Sequence, residues 1–174
     1  MSKFTFVTSS EGKKREILKI IPDSNFIKID LQEIQPKELS IEGAYEVIES
    51  KARSASPYIV EDTSLFIESL NGFPGSLIKY ISSEQLCRII PPNKQRRAVA
   101  ICLLGVSSDG NSVEVFEGKL DGSISLSPKG KGFGWDDIFI PDGESKTLAE
   151  LGEEIKINQY SMRTRALKEL IGRN

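Results

Sequence analysis

A short strand, a polar turn and a helix open the chain in quick succession, and no other feature limits the fold as much. Phe4 to Val7 reads as a strand. Thr8-Ser9-Ser10-Glu11-Gly12 is the turn, and Lys13 to Ile21 follows with Ile17, Leu18, Ile20 and Ile21 as its apolar residues. Ser9 or Ser10 can cap that helix, and Pro22 stands just past its end. Phe26 to Ile29 reads as a second strand. A β-α-β start favours an α/β architecture.

The remaining segments suit that class. Ser40 can cap a second helix carrying Ile41, Ala44, Val47, Ile48, Ala52 and Ala55 at helical spacing. Tyr58-Ile59-Val60 reads as a buried strand with Glu61 and Asp62 at its end, and Leu65-Phe66-Ile67 resumes extended structure. Gly72 to Gly75 is a turn, and Ser83 to Ile90 a short helix stopped by Pro91 and Pro92. Arg97 to Val106 reads as a long buried strand, Ser107 to Asn111 as a hairpin turn, and Val113 to Gly118 as its antiparallel return. A Gly- and Lys-rich loop, 127–134, precedes a helical turn at 147–151 and a closing helix at 161–171. The 174 residues show no repeat or linker, so a single domain over 1–174 is expected.

Composition removes several function classes. The net charge is -2 and no basic run is long, which argues against a nucleic-acid partner. Every apolar run falls short of the ~20 residues a membrane helix needs. The N-terminus enters a strand without the apolar region of a signal peptide, so a cytoplasmic protein is expected. Histidine is absent, which excludes His-based triads and His-ligated metals. Cys87 and Cys102 have no CxxC spacing and read as buried thiols.

Four segments carry candidate chemistry. Thr8, Ser9 and Ser10 at a strand-to-helix junction, with Lys13 beyond them, form either a phosphate site or an ordinary capped turn. Glu61 and Asp62, followed by Thr63 and Ser64, lie where α/β proteins place ligands, and Glu33 and Glu38 follow the second strand. Glu33 with Asp62 could hold a metal–triphosphate complex, although surface acids that bind nothing are the commoner fate. Phe133 and Trp135 lie among glycines beside Asp136, suiting either a base-stacking loop or aromatics tucked into the core. In Ser161-Met162-Arg163-Thr164-Arg165, arginines at a helix start oppose its dipole, which an anionic ligand or a base carbonyl would offset.

In order and spacing these segments resemble the inosine/xanthosine triphosphate pyrophosphatase family. The family's Thr-Gly-Asn-x-x-Lys turn is matched by Thr8 to Lys13, and its Leu-Pro-Glu by Leu31-Gln32-Glu33. Its Glu-Asp-Thr and Gly-x-Pro-Gly are matched by Glu61-Asp62-Thr63 and Gly72 to Gly75. Its Phe-Gly-Trp-Asp is matched by Phe133 to Asp136, and its Lys-Asn-x-x-Ser-His-Arg by the stretch ending at Arg163. The resemblance implies an elongated mixed central sheet flanked by helices, with two lobes around a substrate cleft. It implies a Mg²⁺-dependent homodimer that cleaves ITP, dITP and XTP to monophosphate and pyrophosphate. Glu33 and Asp62 would hold the metal with Glu61 in support, and Asp62 would orient or deprotonate the water. Thr8, Ser9, Ser10, Lys13, Thr63 and Ser64 would bind phosphates. Phe133 would stack on the base, and Trp135, Asp136, Asn158 and Arg163 would serve the base or sugar.

Departures from the pattern fall unevenly. Ser9 and Ser10 replace Gly and Asn, and Asp137 replaces the proline after Trp-Asp. Ile157 stands in the lysine position with Lys156 displaced by one, and Met162 stands in the histidine position. A weakened, binding-only protein, or the same chemistry with another base preference, are the alternatives these departures raise.

Overall fold

The computed structural model describes residues 4–31 and 39–173. Glu33 and Glu38 lie outside the described residues. In chain order the elements are β1 (Thr5–Val7), α1 (Glu11–Ile20), β2 (Asn25–Ile27), α2 (Ile41–Ser54), β3 (Ile59–Ile67), β4 (Pro74–Gly75), α3 (Ser83–Ile89), β5 (Arg97–Val106), β6 (Glu114–Ile124), β7 (Phe139–Pro141), α4 (Leu148–Leu151), α5 (Glu153–Ile155) and α6 (Met162–Arg173). Among the described residues no helix is long and apolar enough to cross a membrane.

The seven strands among the described residues form one mixed sheet in the order β2-β1-β3-β5-β6-β7, with β4 on the edge of β3. β1 runs parallel to both β2 and β3, and every other pairing is antiparallel. Helices cover both faces. Alternation along β3 and β5 sends Ile59, Leu65, Ala100, Cys102 and Leu104 to one core with Ile17 and Leu167, and Val60, Phe66, Ile101 and Leu103 to another with Ala44, Ile48 and Ala52. The first core lies under α1 and α6, the second under α2. Cys87 and Cys102 are free and buried, as expected.

Two strands outrun their expected ends. β3 does not stop at Glu61: its ladder to β5 continues unbroken from Val60 opposite Gly105 to Ile67 opposite Ala98. The polar run from Glu61 to Ser64 imitates a strand end, but backbone pairing needs no apolar side chains. β6 likewise passes through Gly118 to Ile124. Glycine there marks a close approach, because a Cβ on Gly118 would come within 1.7 Å of the Met162 carbonyl oxygen. The start of α6 therefore lies directly on the sheet, which fixes where Arg163 points.

Between α5 and α6 the chain makes a π-helical turn over Lys156–Tyr160, closed by the Ser161 N–H donating to the Lys156 carbonyl at 2.7 Å. Nothing in the local pattern announces this turn; it holds one residue more than an α-helical turn would.

Candidate active site

Register brings the first turn and the acids together. Val7 of β1 pairs with Val60 of β3, so Thr8 leaves the sheet beside Glu61. β1 ends there, and β4 does not take up the same edge of β3 until Leu65. Among the described residues, the stretch from Glu61 to Ser64 is thus the length of β3 without a strand paired on that edge. A cleft of about 1110 Å³ opens over it, lined by Thr8, Ser9, Ser10, Lys13, Glu61, Asp62, Thr63, Phe133, Trp135, Asp136 and Arg163 among others. Ser64 and Asn158 do not line it. Ser64 is buried in the sheet packing, and Asn158 faces solvent.

Consecutive strand residues face opposite ways, and this separates the two acids. Asp62 faces α2, where Lys51 Nζ contacts its Oδ1. Its Oδ2 is buried and has no hydrogen-bond partner among the described residues. Glu61 faces α1 and α6. Arg163 grips it with two N–H groups, Nε to Oε2 at 2.7 Å and Nη2 to Oε1 at 2.9 Å. Lys13 Nζ lies 3.1 Å from Oε1, and the Thr63 hydroxyl donates to the same oxygen at 3.1 Å. Both oxygens of Glu61 are committed, so the expectation that it supports a metal meets a different arrangement: Glu61 anchors Arg163.

The turn is held by its own hydroxyls. Thr8 Oγ1 accepts the Ser10 N–H at 3.1 Å, and Ser10 Oγ, the N-cap of α1, accepts the Lys13 N–H at 3.4 Å. These bonds aim Lys13 across at β3. Lys13, Lys28, Lys51 and Lys79 all line the cleft. Four ammonium groups around one open space suit a polyanion.

The other end is a closed cluster of charge. Lys156 Nζ contacts Glu16 Oε1 and lies 2.7 Å from Asp136 Oδ2, while Arg163 Nη1 contacts Glu16 Oε2. Counting Glu61 and Lys13, three carboxylates meet three cations, so the cluster is neutral as built. Burial pushes the Asp136 carboxyl above the ordinary carboxylate range, against the pull of Lys156 and of the Phe133 N–H, which donates to Oδ2 at 3.0 Å. Trp135 packs against Phe139, ring centroids 5.5 Å apart, and serves the core as well as the cleft wall. Asp137 accepts the Ser83 hydroxyl at 2.5 Å, tying the Gly-rich loop to the start of α3.

Two cleft residues, Lys51 and Lys156, and the buried Glu16 behind them escape sequence reasoning in whole or part. Glu16 has a faint signal, a carboxylate three residues after Lys13 and next to Ile17, on the side of α1 that is buried. Lys51 has none, since its value depends on which face of β3 Asp62 takes. Lys156 is out of step with the lysine of the resembled pattern by one position, yet it is buried in the cleft, and Ile157 takes the core position beside it. The π-helical turn reconciles the two, because its extra residue lets Lys156 and Ser161 both face inward. Met162 is buried and lines the cleft without offering a donor.

The chain matches the model of the Ham1 family over residues 4–173. A dITP/XTP pyrophosphatase of Methanopyrus kandleri is 37% identical over 175 residues, 95% of this chain and 93% of that one. Inosine triphosphate pyrophosphatase 2 of Trypanosoma cruzi is 36% identical over 182 residues, 97% of this chain and 90% of that one. Among solved structures, the Staphylococcus aureus Ham1 protein superposes with a TM-score of 0.74 at 26% identity, covering 98% of this chain and 97% of the other.

Proposed function

Because the chain belongs to the Ham1 family, we propose that it is a nucleoside triphosphate pyrophosphatase acting on non-standard purine nucleotides. Water and ITP, dITP or XTP would give the monophosphate and pyrophosphate. The observation that carries this reading is the pairing of a lysine-lined cleft with Asp62, whose Oδ2 is buried and has no partner among the described residues.

Asp62 fits a divalent cation. Mg²⁺ takes one or two protein carboxylates, keeps several waters and otherwise binds substrate phosphates. Asp62 would hold the ion through water at Oδ2, and Glu33, outside the described residues, would supply a carboxylate ligand. When bound, Mg²⁺ neutralises charge on the phosphates as the anhydride breaks. Lys13 and Lys51 add positive charge on either side of β3, and the turn from Thr8 to Ser10 seats a phosphate at the N-terminus of α1. Thr63, which also lines the cleft, contacts the same polyphosphate. Asp62 orients the attacking water and takes its proton. Phe133 stacks on the base, and Asp136 with Lys156 meets its polar edge. Arg163 acts through Glu61 and Glu16, holding the floor on which the base rests. The chain works as one domain over residues 1–174, as a cytoplasmic homodimer.

Met162 favours a second reading, the same chemistry with weaker base discrimination, because a thioether offers the purine no donor. Pyrophosphate release by the purified protein with and without Mg²⁺, from ITP and XTP against ATP and GTP, tests both. Higher efficiency with ITP or XTP supports the first reading, and equal efficiency supports the second. Tight binding without release would leave a nucleotide-binding protein.

A further inference from the structure

Gly12, the second residue of α1, lies against the ring of Phe133. A Cβ at position 12 would sit 2.1 Å from Phe133 Cε2, 2.2 Å from Cδ2 and 2.6 Å from Cζ. Carbon atoms pack at about 3.5–4.0 Å, so the ring fills space that any other residue here would take for itself. The backbone gives no competing reason for glycine: Gly12 is absent from the chain's positive-φ positions, and a helical residue of ordinary φ is better served by alanine. The close approach is what glycine permits. It joins two parts of the cleft that are 121 residues apart in sequence, the helix end that carries the phosphate turn and the loop that carries the aromatic ring.

We propose that Gly12 is a positioning residue for base binding: its bare backbone seats Phe133 at a fixed distance from the phosphate turn, setting the span between the base and the phosphates. The proposal rests on the reading that Phe133 stacks on the base of a nucleoside triphosphate. The Phe133 backbone is held separately, through its N–H to Asp136, so the contact with Gly12 governs where the ring lies. A side chain at position 12 turns the ring away from the base and leaves Ser10 and Lys13 to bind phosphate as before.

Calorimetric binding of two ligands separates these effects: the α,β-methylene analogue of ITP, which carries a base and a carbon in place of the scissile bridging oxygen, and inorganic tripolyphosphate, which has no base. The proteins are the unmodified chain, Gly12→Ala, Phe133→Ala and the double variant. In Gly12→Ala the analogue should bind about tenfold more weakly, the scale of one lost base–aromatic stack, while tripolyphosphate binds unchanged. In the Phe133→Ala background, Gly12→Ala should cost nothing further. Phe133→Ala vacates the contested space, so the double variant decides the matter even if Gly12→Ala alone folds poorly. Equal weakening of both ligands, or additive losses in the double variant, overturns the proposal and assigns Gly12 to the phosphate turn. If the unmodified protein binds the analogue but releases no pyrophosphate from ITP, the proposed reaction fails while these comparisons still decide the role of Gly12.

Discussion

The two ends of the cleft use similar side chains in opposite ways. At the end proposed for the phosphates Lys51 and Asp62 keep 18% and 13% of their side chains exposed, and one oxygen of Asp62 has no partner among the described residues. At the base end Lys156 and Glu16 keep 4% and 2%, and their charges are already matched within the cluster. Water and counterions can reach the first end and adjust to a changing charge. The second can accept only a ligand that replaces hydrogen bonds one for one, because any unmatched charge there is costly. On the proposed reading, the end that takes the polyphosphate tolerates Ser9 and Ser10 in its turn. An end built as a closed lattice constrains what can stand at Lys156 or Arg163.

The difference can be broken first at Asp62. Asp62→Asn should lower pyrophosphate release by roughly 10²- to 10⁴-fold, the range for a lost general base, with the melting temperature close to that of the unmodified protein. Near-normal turnover in a folded variant would remove Asp62 from the chemistry. Next come matched cuts, one cation from each end. Arg163→Met leaves Glu16 to Lys156 and Glu61 to Lys13, one buried cation short for the cluster, and should cost about 3–5 kcal/mol of stability in urea titration. Lys51→Met removes half of a partly exposed pair and should cost about 1 kcal/mol or less. Equal losses would mean that the ends are not built differently after all.

The smallest effect is a pH dependence. Asp136 has a folded-state pKa raised by burial, so the folded chain holds that proton more tightly than the unfolded one. The stabilisation this gives is complete below the ordinary aspartate value of about 3.9 and is lost as pH rises through the raised value. Asp136→Asn has no such proton. The melting temperature of the unmodified protein relative to that variant should therefore decline as pH rises across this window. A flat difference would mean that Lys156 cancels the effect of burial.

Much of this was legible in advance because it is local. Ser10 and Ser40 cap their helices as their positions predict, and Thr147 caps α4 in a reciprocal pair with Glu150. The acids follow the buried run Tyr58-Ile59-Val60 directly, and the glycines surround Phe133. What could not be read depends on how distant segments meet. Glu61 and Asp62 are adjacent in sequence, but strand pleat sends one to Arg163 and the other to Lys51. The true length of β3 follows from its pairing with β5, which masks the polarity of its middle. Gly118 looks like an end and is instead a point of contact with α6.

The turn at Lys156–Tyr160 bears on how such a chain can change over generations. Adding one codon within an α-helix rotates everything after it by about 100°, which here would swing either Lys156 or Arg163 out of place. A helix that stores the added residue as a local widening spares both flanks. A lineage carrying this device can gain or lose that codon without passing through a form whose lysine and arginine no longer meet. Comparing such sequences column by column would record a lost lysine where the folded molecule has kept it.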